Sequence, residues 1–460
     1  MMDQQIKKTL IAIVGEKRFT DDLIDLVSYS YDSSEHRHRP DCAVWPESVE
    51  EISEILKLAN QEKIPVIPRG AGTGLSGMAV PDKGGIVLDL NHLNKIVAVN
   101  IEDRLAIVQP GVVYADLDLA LAKHGFFFPP DPGSAKVCTL GGNVATNAGG
   151  IKGAKYGTTR DYVLGLQVVL PDGRVMRTGS KTMKCVSGYD LTKLFVGSEG
   201  TLGVITEIIL KINPKPLAVS TAMATFNDLE DAGRAVSQIM YSGIIPSVLE
   251  ILGRHTLKAI NQNTDLNLPE VDALLLTETD GYTQEETDYQ LNKIIEVFNQ
   301  NKAQEIQQAE SAAMAAKLWE ARKSAYGVLA RIKTHFVLED ITVPMSKLAQ
   351  LLKGVEAIAE KYDLQIATFG HAGDGNLHPQ ILYDGYDPDQ VRRVEAARGE
   401  LFKLAIDLEG TLTGEHGIGL AKAPYMCLEH DPVAMEVMRS IKRLFDPHNI
   451  LNPGKMSLEN

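Results

Sequence analysis

Apolar positions in SVEEISEILKLANQE (48–62) fall at Ile52, Ile55, Leu56 and Ala59, one stripe of a helix behind a serine N-cap. The run IPVIP (64–68) then reads as a strand, as do GIVLDL (85–90), IVAV (96–99) and LAIVQPG (105–111). VYADLDLALAK (113–123) reads as a helix. Across 164–177, LGLQVVL and RVMRT flank Pro171-Asp172-Gly173, which predicts a hairpin. The strong strand VITEIILKI (204–212) ends at Asn213-Pro214-Lys215-Pro216, a domain boundary by its turn chemistry. Beyond it, TAMATF (221–226) and VDALLLTETDG (271–281) alternate with helices near 228–241 and 284–300, the pattern of an α+β sandwich. A long helical stretch is expected over 303–333, then FVLEDITVP (336–344), a helix at 346–361, LQIATFGHAGDGNLHPQILYDG (364–385) and a helix near 388–408.

Glycine interrupts this pattern in telling places. RGAGTGLSG (69–77) holds Gly72, Gly74 and Gly77 in a G-x-G-x-x-G spacing right after the IPVIP strand. A Rossmann turn would start a crossover helix at the third glycine. Here MAVPDKGG fills the space before the next strand at about Ile86, too little chain and too rich in Pro and Gly for that helix. The surviving reading is an anion nest, backbone N–H groups turned inward on a phosphate, with a plain surface turn as its alternative. Residues 131–165 are rich in Gly, Asn, Thr and Ala, and loops of that length inside a domain are usually functional. Within them GGNVATNAGG (141–150) offers amide and hydroxyl partners to a cofactor. GSEGTLG (197–203) is a third Gly-rich turn.

The second half carries His371, Asp374, His378, Glu415 and His416. If LQIATFG and LHPQILY pair about a tight turn at Asp374-Gly375, His371 and His378 stand directly opposite, about 5 Å apart at Cβ, close enough to share a metal. Glu415 would add a carboxylate, and His416 suits a base better than a ligand. Arg322 in KLWEAR could fork onto a carboxylate, although its spacing serves a solvated helix arginine equally well.

Composition narrows the partners. A net charge of -14 argues against nucleic acid and anionic membrane, and 44% apolar residues suit a globular protein of two or three domains. No apolar run is long enough to span a bilayer, and TLIAIVG after Lys7 and Lys8 is too short for a signal-peptide core. The expected location is the cytoplasm, at most peripheral to the inner face of the membrane. The 4 cysteines are scattered without C-x-x-C, so they are expected to be buried structural thiols and not cluster ligands.

RGAGTGLSG, GGNVATNAGG, GSEGTLGVITE, HAGDGNLHP, GEHGIGLAK and ILNPGK, in that order over nearly the whole chain, resemble the FAD-linked 2-hydroxy acid dehydrogenases of the vanillyl-alcohol-oxidase type. That family includes D-lactate dehydrogenase, the FAD subunit of glycolate oxidase and D-2-hydroxyglutarate dehydrogenase. The resemblance implies an α+β architecture. A helical segment (1–37) would precede a two-part PCMH-type FAD-binding domain (38–215). A ferredoxin-like cap (216–420) and a C-terminal segment returning to the flavin (421–460) would follow. By resemblance the pyrophosphate loop comprises Arg69, Gly70, Ala71, Gly72, Thr73, Gly74, Leu75 and Ser76. Pro132, Ser134, Gly142, Asn143, Thr146, Ala148, Gly149 and Thr158 line more of the FAD, with Glu199, Gly200, Ile205 and Asn452. His371, His378 and Glu415 match the ligands of a divalent metal (zinc, manganese or iron), His416 the base, and Arg322 with Asn376 the substrate contacts.

Two departures matter. The 69–78 loop has no histidine for covalent attachment, so noncovalent FAD is expected. FVLEDITVP lacks the lysine that 2-hydroxyglutarate enzymes carry, which favours D-lactate or glycolate over a dicarboxylate. Hydride would pass from C2 to flavin N5, and electrons then to an iron–sulfur subunit, an electron-transfer flavoprotein, a quinone or a cytochrome. The reading allows a homodimer. Its rivals are a 2-hydroxyglutarate dehydrogenase, a non-redox alkyl-transfer flavoenzyme of the same fold, and a metal-dependent hydrolase without flavin.

Overall fold

The computed structural model describes residues 2–459. The chain divides into two compact units. One comprises residues up to Gly149, Thr158–Lys215 and the chain from Glu415 onward; the other is Gly150–Gly157 with Pro216–Gly414. The return to the first unit thus begins at Glu415, earlier than the expected break after residue 420, and a short piece of the Gly-rich segment belongs to the second unit.

In the first unit, β1 (Phe19–Thr20), β2 (Cys42–Val44), β3 (Val66–Arg69) and β4 (Ile86–Asp89) form a sheet ordered β1-β2-β4-β3. Both β2 and β3 run parallel to β4. The crossover from β2 to β3 is the helix α1 (Val49–Glu62), which buries Ile52, Ile55, Leu56 and Ala59 and is capped by the Ser48 hydroxyl accepting from Glu51 N–H. The crossover from β3 to β4 is the glycine loop itself, with no helix between residues 70 and 85. A parallel pair normally encloses a helix at this point; here the loop takes its place. A second, antiparallel sheet follows: β5 (Ile96–Asn100), β6 (Leu105–Val108), β7 (Val163–Val169), β8 (Val175–Gly179) and β9 (Val204–Lys211), ordered β5-β6-β9-β7-β8. The helix α2 (Leu140–Thr146) carries the GGNVAT residues.

The second unit is one large antiparallel sheet with β10 (Ala218–Phe226), β11 (Val248–Gly253), β12 (Ala273–Gly281) and β13 (Glu305–Gln308) in the order β13-β10-β12-β11. With α3 (Leu229–Tyr241) before β11 and α5 (Gln284–Gln300) before β13, that is the ferredoxin-like arrangement; α4 (Arg254–Asn263) is an addition. Beyond β11 the sheet continues through β14 (His335–Leu338), β15 (Ile341–Thr342), β16 (Gln365–His371) and β17 (Asn376–Tyr383), with β16 on β11 and β17 on β16. The helices α6 (Ala312–Leu329), α7 (Leu348–Lys361) and α8 (Pro388–Asp407) complete the unit.

Two expectations are corrected. The stretch 303–333 is not one helix: Glu305–Gln308 pairs with β10 as the sheet edge, and the helix begins only at Ala312 behind the Ser311 cap. The cysteines are not all buried either: Cys42 and Cys138 are, whereas Cys185 and Cys427 lie exposed. Among the described residues no helix is long and apolar enough to cross a membrane.

Candidate active site

The loop after β3 is built to leave its amides open. Gly72 and Gly77 sit at φ 70° and 79°, and a Cβ on Gly72 would collide with the Arg69 guanidinium. Arg69 is itself a strut: it donates to the Tyr31 carbonyl at 2.9 Å and stacks on the Tyr29 ring. No backbone N–H from Ala71 to Gly77 finds an acceptor among the described residues, which is what an anion nest requires. A Cβ on Gly70 would lie 2.2 Å from the Thr139 hydroxyl, so α2 enters directly beside the loop. Gly142, Asn143 and Thr146 lie on α2, with Ala148 and Gly149 just past its end. Thr158 caps the next 3-10 turn and donates to Asn147 Oδ1, while Pro132 and Ser134 accept from Ala135 and Val137 in the turn before α2. The 197–203 turn joins them, with Gly197 N–H on the Val144 carbonyl and Glu199 N–H on that of Ala145; Ile205 follows on β9.

The returning segment closes on this group. Ser76 Oγ donates to the Gly417 carbonyl at 2.9 Å, and Leu420 N–H donates to the Ser76 carbonyl. A Cβ on Gly419 would lie 2.0 Å from that same carbonyl. The buried Glu199 carboxylate accepts from Ile418 N–H at 2.7 Å and Gly419 N–H at 2.8 Å. Burial raises the Glu199 carboxyl to about 7, against the downward pull of those two bonds. Asn452 donates from Nδ2 to the carbonyls of Met78 and Glu199, while its Oδ1 is buried with no partner among the described residues. Glu415 and His416 stand at the head of this segment, the carboxylate 3.7 Å from the imidazole, and Glu415 packs against Gly149.

The second unit holds the other half of the polar residues. His371 and His378 meet edge to face with ring centroids 5.1 Å apart. They are not directly opposite, as the tight-turn reading expected. The connection is a 3-10 turn over Ala372–Asp374 closed by Gly375 at φ 79°, so His371 pairs with Asn376 and His378 with Phe369. The two histidines are therefore diagonal neighbours on one face, still within reach of each other. Behind His371 stands Glu250 on β11, fully buried, accepting from its Nδ1 and from Arg322 Nε. Burial pushes the Glu250 carboxyl up, but the charges and hydrogen bonds of His371 and Arg322 prevail and hold it low. Asp340 Oδ1 lies 3.7 Å from His378 Nδ1. Glu250 on Nδ1 of His371 is the outer-shell partner that metal-binding imidazoles use, leaving Nε2 for an ion, whereas the Asp340 carboxylate stands beside His378 without a hydrogen bond to its Nδ1. Arg322 lies over the Phe369 ring at 4.9 Å, and only its Nε is engaged among the described residues. Asn376 Nδ2 is tied to Asp340 at 2.7 Å and Thr342 at 2.8 Å, so its amide carbonyl alone remains for a substrate.

The description "FAD linked oxidases, C-terminal domain" matches residues 215–456, and "FAD binding domain" matches residues 40–179. The chain belongs to the FAD-linked oxidases. It is 45% identical to glycolate oxidase subunit GlcD of Bacillus subtilis (strain 168), over 99% of this chain and 97% of that one. It is 37% identical to D-lactate dehydrogenase of Anaerostipes hadrus, over 91% of this chain and 90% of that one. A solved structure of p-cresol methylhydroxylase with substrate bound shares the fold, with TM-score 0.81 at 19% identity, covering 98% of this chain and 96% of that chain.

This FAD-linked oxidase is thus an FAD-dependent oxidoreductase, and its first unit fits the cofactor: open loop amides, glycines where a Cβ would collide, and the orphaned Asn452 Oδ1. The structure gathers the sequence-predicted FAD residues with Glu415 and His416 in that unit. It gathers His371, His378, Asn376 and Arg322 in the other. Sequence reasoning missed Glu250 and Asp340. Each had a signal: Glu250 is a lone acid inside the apolar strand VLEILG (248–253), and Asp340 is one of two adjacent acids between apolar neighbours in VLEDITV (337–343).

Proposed function

We propose that the chain oxidises a small 2-hydroxy acid, D-lactate or glycolate, to the 2-oxo acid and delivers the electrons to an acceptor other than NAD. The observation carrying this reading is the pair of buried histidines, each next to a carboxylate, beside an arginine whose fork is largely unengaged. Arg322 holds the substrate carboxylate, its guanidinium oriented by Glu250 and Phe369. His371, His378 and Glu415 are the ligands for a divalent cation, with Glu250 fixing the His371 tautomer. Bound FAD supplies a hydride acceptor, and a bound zinc, manganese or iron ion makes the 2-hydroxyl more acidic. His416 takes the 2-hydroxyl proton on its imidazole. The hydrogen bonds of Glu199 to Ile418 and Gly419 and of Ser76 to Gly417 keep the His416 segment from drifting.

The name of the Bacillus subtilis relative describes a subunit, which supports an electron-accepting partner protein for this chain too. The test is anaerobic mixing with D-lactate, L-lactate and glycolate, with and without chelator, while the flavin spectrum is followed. Bleaching by D-lactate or glycolate that chelator abolishes is the expected result. His416→Ala should stay yellow in the presence of substrate; bleaching at the normal rate would remove His416 as the base.

A further inference from the structure

The helix α9 (Pro432–Phe445) near the C-terminus of the first unit offers side chains for packing on two opposite faces. The inner face, at positions 435, 438, 442 and 445, is already docked. Met435 and Lys442 are buried, Lys442 Nζ holds the Thr201 and Leu451 carbonyls, and Phe445 meets the Phe195 ring edge to face. The outer face is open: Val433, Val437 and Leu444 are 68%, 52% and 78% exposed, with Ser440 exposed among them. At 3.6 residues per turn these four fall within an arc of about 60°. Their steps of four, three and four residues are those of a coiled-coil seam, narrower than the stripe a helix lays on a globular core. The helix itself does not call for them. It starts at Pro432 behind Asp431, which accepts from Val433 N–H and Ala434 N–H, and exposed valines are weaker helix formers than straight-chain residues.

The flanks of the seam identify what covers it. The exposed Glu436 and Arg443 border one side, and the half-exposed Ala434 and Ile441 border the other. In an antiparallel pair of identical helices, Val433 packs beside the partner's Leu444 and Val437 beside the partner's Ser440. That same register sets Glu436 against the partner's Arg443 and, by the two-fold axis, Arg443 against the partner's Glu436. On the other side Ala434 meets the partner's Ile441. A parallel pair would instead set Glu436 against Ile441 and leave Arg443 beyond the end of the partner's helix, which stops at Phe445. Charge and apolar positions agree only when the helix meets an antiparallel copy of itself.

We propose that α9 is a dimer interface, on which a second copy of this chain docks its own α9 antiparallel about a two-fold axis. Such a contact uses the same patch on both copies and closes on itself. The inner face holds α9 in place, so little ordering is required on association. From Val433 to Leu444 the seam is about 16 Å long, short for a standard interface, and two chains of net charge -14 repel each other. The pairing is therefore reversible, with a dissociation constant on the order of 10 μM. The exposed ion pairs add little affinity and chiefly select the antiparallel orientation.

The test is sedimentation equilibrium of the full-length FAD-loaded protein from about 1 to 100 μM. The native chain should pass from monomer to dimer over this range. Val437→Glu and Leu444→Glu should each stay monomeric with the flavin retained. Glu436→Arg and Arg443→Glu should each weaken self-association by about tenfold or more, since each puts like charges together at two places. Mixing these two variants should form a heterodimer of about native affinity, and one chain carrying both changes should again pair with itself. A native chain that stays monomeric up to 100 μM overturns the proposal and leaves the seam to a different partner. A dimer undiminished in Val437→Glu and Leu444→Glu lies elsewhere and overturns it too. Charge variants that pair as well as the native chain, or that gain nothing on mixing, overturn the antiparallel register.

Discussion

A single carboxylate, Glu250, supports two of the groups assigned to the chemistry. It accepts from His371 and from Arg322, and all three lie on or over one buried face of the second unit. Glu250→Gln keeps the shape but removes the charge behind His371; the apparent metal affinity should fall about 10–100-fold, read by chelator titration of activity. Glu250→Leu leaves Arg322 without its counter-ion in a largely buried place and should destabilise the fold by about 3–5 kcal/mol in chemical denaturation. Glu199 gives a pH signature of its own. Its carboxyl is raised from 4.5 to about 7 by burial, so the folded state holds the proton where the unfolded chain releases it. Stability from this group is therefore fully present below pH 4.5 and declines as pH rises to about 7, by about 3 kcal/mol across that window. Subtracting the Tm–pH curve of Glu199→Gln from that of the native protein should reveal this downward slope. A flat difference would show that Glu199 is already ionised in the fold.

The His371–His378 hairpin shows where periodicity stops being informative. Both histidines were legible as a pair on one face, because that needs only the alternation of a strand. Their register was not, because it depends on whether Ala372–Asp374 adopts a 3-10 turn, and a tight two-residue turn at Asp374-Gly375 fits the same letters. The glycine loop was legible for the opposite reason. The absence of a helix after Gly77 follows from Pro81, Gly84 and Gly85, and local sequence decides it. What local sequence could not reveal is that Gly419, far along the chain, is packed on Ser76. Gly419 sits at φ 52° with a Cβ position 2.0 Å from the Ser76 carbonyl. Gly419→Ala must therefore push the His416 segment off the loop. Strain and steric conflict of about 1–3 kcal/mol are expected, with FAD lost on gel filtration and recovered by adding excess cofactor. A variant that keeps its flavin at native stoichiometry would show that the two segments can separate without harming the site.

At the scale of the molecule, the question is where the electrons go. Oxidation of a 2-hydroxy acid places two electrons on the flavin, and turnover requires their removal. The chain has 4 cysteines; Cys42 and Cys138 are buried one by one in the first unit, and Cys185 and Cys427 are exposed and far apart in sequence. No C-x-x-C spacing brings two of them to one cluster. On the proposed reading an internal iron–sulfur relay is therefore not expected, and we propose that the reduced flavin passes its electrons to an acceptor outside the chain. Under anaerobic conditions the purified protein should form one 2-oxo acid per flavin and stop, with the flavin bleached. An artificial dye acceptor should then restore continuous turnover. Stoichiometric peroxide formation, with turnover sustained by dissolved oxygen alone at the rate the dye supports, would mean that the flavin is open to oxygen and that no protein acceptor is required.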